Sequence, residues 1–152
     1  HLTYLGDGNN ILHSLLLIAP LMGVHVHYCC PESYGPNAMI LKQAQTLYPT
    51  MIHVHHTPKE AVQGVHGVYT DVWSSMGFDQ RDETLFDGYQ VNETLMKEAH
   101  EDALFLHCMP MERGKEVSKT LPDTACSGIF DQAENRLHAQ KALLYIVMKG
   151  QK

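Results

Sequence analysis

Short apolar segments alternate with longer amphipathic segments along most of this 152-residue chain. The apolar segments are predicted to be strands, at residues 2–5, 24–29, 51–54, 67–73 and 103–108, with a short extended piece at 127–130. The amphipathic segments predict helices within residues 9–22, 37–47, 57–64, 89–100 and 133–150. Alternation of strands and helices is typical of a parallel sheet. We therefore predict one α/β domain with a doubly wound, mainly parallel sheet of about five strands and helices on both faces.

Composition and charge argue against several classes of protein. Hydrophobic residues make up 44% and charged residues 18%, which is ordinary for a globular domain. The net charge of −6 argues against a nucleic-acid partner, and the apolar runs are too short to span a membrane. Two of the four cysteines, Cys29 and Cys30, are adjacent, so we expect reduced thiols and a cytoplasmic protein. The chain begins inside a predicted strand without an initiator methionine, which is typical of a fragment or a processed piece.

Histidine is abundant, with 11 residues, but its spacing matches no familiar metal motif. His53, His55 and His56 lie in the segment HVHH and could in principle bind a metal. No carboxylate or thiol lies at ligand spacing from them, so the sequence favours solvated imidazoles at a strand end. We predict no metal and no cofactor.

Polar groups follow three predicted strands, at the positions where parallel strands present their carboxyl ends to one crevice. The segments are GDGNN at 6–10, TDVWSSMG at 70–77 and HCMP at 107–110. Asp71 could bind an ammonium group, and backbone N–H groups near Met76 could bind a carboxylate, so a small zwitterion such as an amino acid is favoured. The alternatives are that Asp71 caps a turn, Cys108 is a core thiol, and the serines are ordinary loop residues. Trp73 is expected to pack under its loop.

A cation lies near the start of the last predicted helix. Glu134, Asn135 and Arg136 are expected in its first turn, where a carboxylate complements the helix dipole but an arginine does not. Arg136 therefore either forms a surface salt bridge or reaches an anionic ligand, which its planar guanidinium suits.

Four segments together resemble a known family: GDGNN, YTDVWSSMG, FLHCMP and FDQAENRLHAQKALL. Their order and spacing resemble those of the ornithine carbamoyltransferases, within the aspartate/ornithine carbamoyltransferase superfamily, over nearly the whole chain. The resemblance implies a Rossmann-like domain that forms the C-terminal, ornithine-binding half of such an enzyme. It also implies roles for individual residues. Those expected to bind ornithine are Asn10, Asp71, Ser75 and Met76. Those expected to border carbamoyl phosphate are His107, Cys108, Met109 and Arg136. Asp71, Cys108 and Arg136 are the expected catalytic groups.

The implied reaction is attack of a neutral δ-amine of ornithine on carbamoyl phosphate, which yields citrulline and phosphate without a covalent enzyme intermediate. Met109 stands where leucine is usual in the family, and Gln132 where glutamate is frequent. The family's phosphate-binding segments, of the types STRTR and HPxQ, belong to an N-terminal domain that this chain lacks. We therefore expect the chain alone to be catalytically incompetent and the apolar face of its last helix, around Leu143, Leu144 and Ile146, to be exposed. Full-length relatives are expected to be homotrimers.

Two other interpretations remain open. The chain could belong to a related carbamoyltransferase that acts on putrescine or an N-acylated ornithine, or it could be a non-catalytic amino-acid-binding module. A nucleotide-binding domain is disfavoured, because the segment GDGNN does not match the glycine pattern GxGxxG.

Overall fold

Five short strands form the central sheet of the computed structural model, which describes residues 1–74 and 82–150. They are β1 (Leu2–Leu5), β2 (Val26–Cys29), β3 (Ile52–Val54), β4 (Gly67–Thr70) and β5 (Leu104–His107). All four neighbouring pairs are parallel, and the strand order is β3-β2-β1-β4-β5. The predicted parallel α/β sheet is confirmed, although β2, β4 and β5 are each shorter than expected.

Helices connect the strands, and polar side chains mark where most of them begin. The helices are α1 (Asn10–Leu21), α2 (Ala38–Leu47), α3 (Pro58–Val62), α4 (Glu93–Met96) and α5 (Ile129–Lys149), with short 3₁₀ turns at Glu32–Tyr34, Glu83–Phe86 and Leu121–Asp123. Each of the first four helices is preceded by a residue whose side-chain oxygen accepts from free backbone N–H groups: Asn9, Asn37, Thr57 and Asn92.

The sheet buries one apolar cluster on each face. Tyr4 of β1 belongs to the cluster with α1 and α2, whereas the next residue, Leu5, belongs to the cluster with α3 and α4. This alternation follows from the period of two in a strand. Helices therefore lie on both faces of the sheet, as predicted.

Two predicted elements are wrong in extent. The helix expected over 89–100 is helical only over Glu93–Met96, because Val91 is instead tied to the chain at 116–118 through two backbone hydrogen bonds. The piece expected to be extended over 127–130 bridges β5 only through Ser127, and α5 begins at Ile129. Arg136 was expected in the first turn of the last helix. Because α5 begins at Ile129, Arg136 instead lies beyond that first turn.

Histidines cover part of the sheet face on which α3 lies. In this parallel register His27 stands beside His53, and the period of two brings His25 and His55 to the same face. We call His25, His27, His53 and His55 the histidine array. His53 and His55 are half-buried and paired with His25 and His27 respectively, so the expectation of solvated imidazoles is wrong for both, whereas His56 is exposed.

The strand order reverses between β1 and β4. From β1 the chain builds outward through β2 and β3, then crosses back to add β4 and β5 on the other side. Such a switch point opens a crevice at the carboxyl ends of the strands, where α/β proteins bind ligands. Among the described helices, none is both long and apolar enough to cross a membrane.

Candidate functional site

A cleft of about 1360 Å³ opens at the carboxyl ends of β1, β4 and β5. The start of α1, the loops after β4 and β5, and one side of α5 form its walls. Six of its lining residues carry the chemistry discussed below: Asn10, Asp71, His107, Cys108, Met109 and Arg136. The structure therefore brings six of the eight predicted site residues to one cleft. The other two, Ser75 and Met76, lie outside the described residues.

Asp71 directly follows β4 and is 7% exposed. Its Oδ1 accepts from the Val72 backbone N–H at 2.8 Å and from the Cys108 thiol at 2.9 Å. Its Oδ2 accepts from the Asn9 side-chain amide at 3.1 Å. Asp71 therefore caps its own turn, as one interpretation held, and also lines the cleft, as the other required.

Cys108 follows β5 and is only partly buried, so the interpretation of a core thiol is wrong. Burial raises the pKa of this thiol to about 12, and the hydrogen bond and negative charge of Asp71 add to the effect. The group is consequently a neutral thiol near pH 7, and it donates its proton to the carboxylate. A thiol of this kind orients and polarises neighbouring groups but is a poor nucleophile.

His107 is the last residue of β5 and is 1% exposed. Its Nδ1 accepts from the Met109 backbone N–H at 3.0 Å, so the ring proton belongs on Nε2. That Nε2 faces Oε1 of the equally buried Glu116 at 3.3 Å. His107 thus anchors the loop that carries Cys108 and Met109, and it also lines the cleft.

Met109 has a left-handed backbone, with φ of 57°. Residues other than glycine adopt this conformation at a cost, and such outliers often occur at functional sites. The side chain borders the cleft and is 39% exposed. The loop after β5 therefore has a backbone shape that the sequence HCMP did not predict.

Gln132 and Tyr69 are site residues that the sequence pattern did not mark. The Gln132 side chain accepts from the His107 backbone N–H at 2.9 Å and donates to the Tyr69 hydroxyl, also at 2.9 Å. One amide therefore joins the end of β5 to a side chain of β4. An ionised glutamate at this position could accept from the backbone but could not donate to the tyrosine.

Asn9, rather than Asn10, contacts Asp71. Asn9 caps α1 through its Oδ1 and uses its amide nitrogen to hold the carboxylate. Asn10 is the first residue of α1 and presents an exposed side chain to the same cleft. The segment GDGNN marked both residues, but neighbouring residues at a helix start point in different directions.

The preceding glycines allow this loop to lie close to another loop. Gly6 has a φ of +114°, which favours glycine. A Cβ on Gly8 would lie 2.5 Å from the Gly35 backbone. The glycines of GDGNN therefore serve the packing of two loops beside the cleft.

Arg136 projects from α5 into the cleft and makes no ion pair within the described part of the chain. Asp71 and Glu112 also line the cleft, so the described lining has two carboxylates and one guanidinium. Arg136 is thus available to an anionic ligand, and the salt-bridge interpretation is wrong for the described residues. This cleft offers little else to neutralise an anion.

Trp73 packs under its loop, as predicted. Its ring stacks on the buried Phe86, with ring centroids 5.2 Å apart. This contact links the start of the loop after β4 to the 3₁₀ turn at Glu83–Phe86.

Asp71, His107 and Cys108 also form a compact set of potential metal ligands, with donor atoms within 4.8 Å of one another. Among the described residues no other group of three such donors is as compact. In the structure these atoms are already committed to the hydrogen bonds of the loop after β5.

Comparisons with known proteins identify the family of the chain. Residues 1–147 match the family model for the Asp/Orn-binding domain of aspartate/ornithine carbamoyltransferase. The chain is 48% identical to an ornithine carbamoyltransferase of Parasynechococcus marenigrum over 98% of its own length, and 47% identical to one of Methanobrevibacter smithii. It spans about half the length of these curated relatives, 48% and 51% respectively.

Solved structures give the same result. Ornithine carbamoyltransferase from Pyrococcus furiosus superposes on 99% of this chain with a TM-score of 0.90 and 41% identity, and the match covers 50% of that protein. An anabolic ornithine carbamoyltransferase from Campylobacter jejuni gives a TM-score of 0.89 at 31% identity. Fold and sequence agree, and the chain belongs to the aspartate/ornithine carbamoyltransferase family, where it corresponds to the Asp/Orn-binding domain.

Proposed function

We propose that this chain is the amino-acid-binding half of an ornithine carbamoyltransferase. The complete enzyme would transfer the carbamoyl group of carbamoyl phosphate to the δ-amine of L-ornithine and release citrulline and phosphate. The observation that carries this proposal is the contact between Asp71 and Cys108 inside the cleft at the switch point of the sheet. The names of the most similar relatives support the choice of reaction.

Asp71 binds and orients the amine that attacks. Its carboxylate is held by three donors and is therefore fixed in position before a substrate arrives. A fixed anion favours the approach of an amine and stabilises positive charge that develops on nitrogen as the C–N bond forms. Asn10, Ser75 and Met76 are proposed to hold the amino-acid end of ornithine.

Cys108 acts as a neutral thiol beside the reacting carbon. A raised thiol pKa argues against a covalent carbamoyl–cysteine intermediate, because the thiolate is the nucleophilic form. In our proposal the amine attacks the carbamoyl carbon directly, the phosphate oxygen leaves with the bonding electrons, and the departing phosphate takes up the proton that the nitrogen releases. The thiol and the backbone of His107 and Met109 border the carbonyl oxygen as its charge develops.

Arg136 binds carbamoyl phosphate but is insufficient alone. The ligand carries about two negative charges, and a single exposed guanidinium beside two cleft carboxylates does not repay its desolvation. We propose that a second, N-terminal half supplies the other cations, and that this chain alone is not catalytically competent. The chain's match to only about half of each relative supports this division.

The exposed apolar side chains of α5 support the proposal of a second half that covers them. Apolar side chains near its end are largely exposed, with Leu143, Leu144 and Ile146 at 61%, 59% and 57%. An apolar patch of this kind marks an interaction surface. We propose that the N-terminal half covers it and that the complete enzyme assembles as a homotrimer. The four free cysteines support a cytoplasmic location.

Reconstitution tests the proposal directly. The chain is mixed or co-expressed with the N-terminal half of the Parasynechococcus marenigrum relative, and citrulline is measured with ornithine and carbamoyl phosphate. Activity is expected only with both halves. Citrulline from the chain alone would contradict its incompetence, and no activity from a stably associated pair would contradict the function.

The amine substrate is tested in the same assay. Putrescine and N-acetylornithine replace ornithine, and each is expected to react at least tenfold more slowly. Faster reaction with either would assign the chain to the corresponding related carbamoyltransferase.

Calorimetric titration of the chain with L-norvaline, which lacks the δ-amine, tests the alternative of a non-catalytic binding module. Binding of norvaline without activity in any reconstituted pair would favour that module.

A further inference from the structure

The histidine array forms two equivalent pairs across neighbouring strands. Nδ1 of His25 lies 3.1 Å from Nε2 of His53, and Nδ1 of His27 lies 2.9 Å from Nε2 of His55. Both pairs join residues 28 positions apart, because β2 and β3 run parallel in a fixed register. In each pair, this offset brings Nδ1 of the first histidine to Nε2 of the second.

The rings are also packed against one another. The centroids of His27 and His53 are 4.5 Å apart, with planes inclined by 21°. His1 adds a fifth imidazole, whose Nδ1 lies 2.9 Å from Nε2 of His27. With His1, five imidazoles therefore occupy a patch that a helix or apolar side chains would cover in a typical doubly wound sheet.

This spacing suits a shared metal ion. Two imidazole nitrogens bound at about 2.0–2.1 Å in tetrahedral geometry lie about 3.3–3.4 Å apart. To admit an ion, the two nitrogens of a pair must separate by a few tenths of an ångström and the rings must turn so that both lone pairs point at the ion. The ring that had donated its proton within the pair then carries that proton on its other nitrogen. Imidazole is a good ligand for zinc, copper and nickel ions.

The array is held in the form that binds metals. Burial lowers the pKa of His27 to about 4, and the neighbouring imidazoles contribute. The pKa values of His53 and His55 are also lowered, mainly by burial, while the charge of Glu60 on α3 partly offsets the effect at His55. Neutral rings keep a lone pair for coordination and do not repel a cation.

We propose that the histidine array binds a divalent transition-metal ion between its paired imidazoles. The first ion occupies one of the pairs, His25 with His53 or His27 with His55, and water completes its coordination. A second ion at the other pair binds more weakly, because the pairs are adjacent and the two dications repel. This site lies away from the cleft and does not rest on the proposed carbamoyl transfer.

Calorimetric titration with NiCl₂ tests the site on the complete chain. The cleft donors are a competing location, so the titration is repeated with Cys108→Ser, which removes the cleft thiol. Binding is expected to persist in that variant within about twofold. Loss of nickel binding in Cys108→Ser would show that the ion binds in the cleft, and it would overturn the proposal.

A double substitution breaks both pairs at once. His27→Gln with His53→Gln removes one partner from each pair, and it is expected to weaken nickel binding at least tenfold. The matched control is His100→Gln with His138→Gln, two exposed histidines outside the array, which should change the affinity less than twofold. Equal affinities in the two double variants would overturn the proposal.

A measurement on the unmodified chain covers the case in which the double variant does not fold. Nickel is paramagnetic, so substoichiometric NiCl₂ should broaden the imidazole NMR signals of the array before those of His13 and His138. Uniform broadening, or broadening confined to His107, would contradict the site.

Discussion

The cleft and the histidine array lie on the same sheet but are built in different ways. The cleft collects different chemical groups from loops after three strands and from α5, with backbone conformations that the sheet does not impose. The array repeats one residue type at alternating positions along β2 and β3, with His25 directly before β2 and His55 directly after β3. Irregular loops allow dissimilar groups to be aimed at one point, whereas regular register brings like groups into rows.

The two regions also differ in electrostatics. In the cleft, the carboxylate of Asp71 accepts three hydrogen bonds, so charge is held by dedicated donors. In the array, the lowered pKa values keep at least three rings neutral, and the rings bond to one another. We therefore expect substitutions in the cleft to change activity strongly, and substitutions in the array to change mainly metal binding.

The largest effect is expected from Asp71→Asn in the reconstituted enzyme. Loss of a fixed anion beside the amine should lower kcat/KM for ornithine about 100-fold or more, as for other preorganised electrostatic groups. Steady-state citrulline assays measure it. The matched control is Asp102→Asn, whose side chain is 87% exposed, and it should leave kcat/KM within about twofold. Similar losses in both variants would remove Asp71 from the mechanism.

The next effect is on stability, from Gly8→Ala. A Cβ 2.5 Å from the Gly35 backbone forces the two loops apart, and the free energy of unfolding should fall by about 1–3 kcal/mol. Urea unfolding followed by circular dichroism measures the change. Gly35→Ala is the control: its φ is −68° and its Cβ would approach other atoms no closer than 4.0 Å. An unchanged stability in Gly8→Ala would show that the loops separate freely.

A smaller effect concerns the reactivity of Cys108. Because burial and Asp71 raise its pKa to about 12, the thiol should react slowly with iodoacetamide at pH 8, and Asp71→Asn should accelerate the reaction about tenfold. Peptide-resolved mass spectrometry measures the rate. The folded thiol keeps its proton above the pH at which the unfolded thiol loses it. Deprotonation therefore favours the unfolded state, and this group lowers the free energy of unfolding as pH rises above about 9. Rapid alkylation of the native chain would contradict the neutral thiol.

The smallest effect is expected from His53→Gln in the array. The imidazole is half-buried and its partner His25 can bond to water instead, so the free energy of unfolding should change by less than about 1 kcal/mol. The same urea experiment measures it, with exposed His138→Gln as the control. A loss as large as that of Gly8→Ala would mean that the array, like the loop packing, supports the fold.

The extent of sequence prediction differed between the two regions. The strand ends of the cleft could be located, because polar residues at the ends of alternating apolar runs are a local pattern. The pairing of Asn9 with Asp71 could not, since two adjacent asparagines look alike until the helix start is known. The array was interpreted wrongly because its partners lie 28 residues apart, beyond any local motif.

The amino-acid sequence by itself determined the alternation of strands and helices, the capping residues such as Thr57, and the types of residue at the strand ends. These follow from side-chain periodicity and from hydrogen bonds between near neighbours in the chain. Only the tertiary structure decided that α5 begins at Ile129, that Gln132 bridges β5 to Tyr69, and that four imidazoles form pairs. The physical reason is that strand order and register bring together residues whose separation in sequence carries no record of their contact.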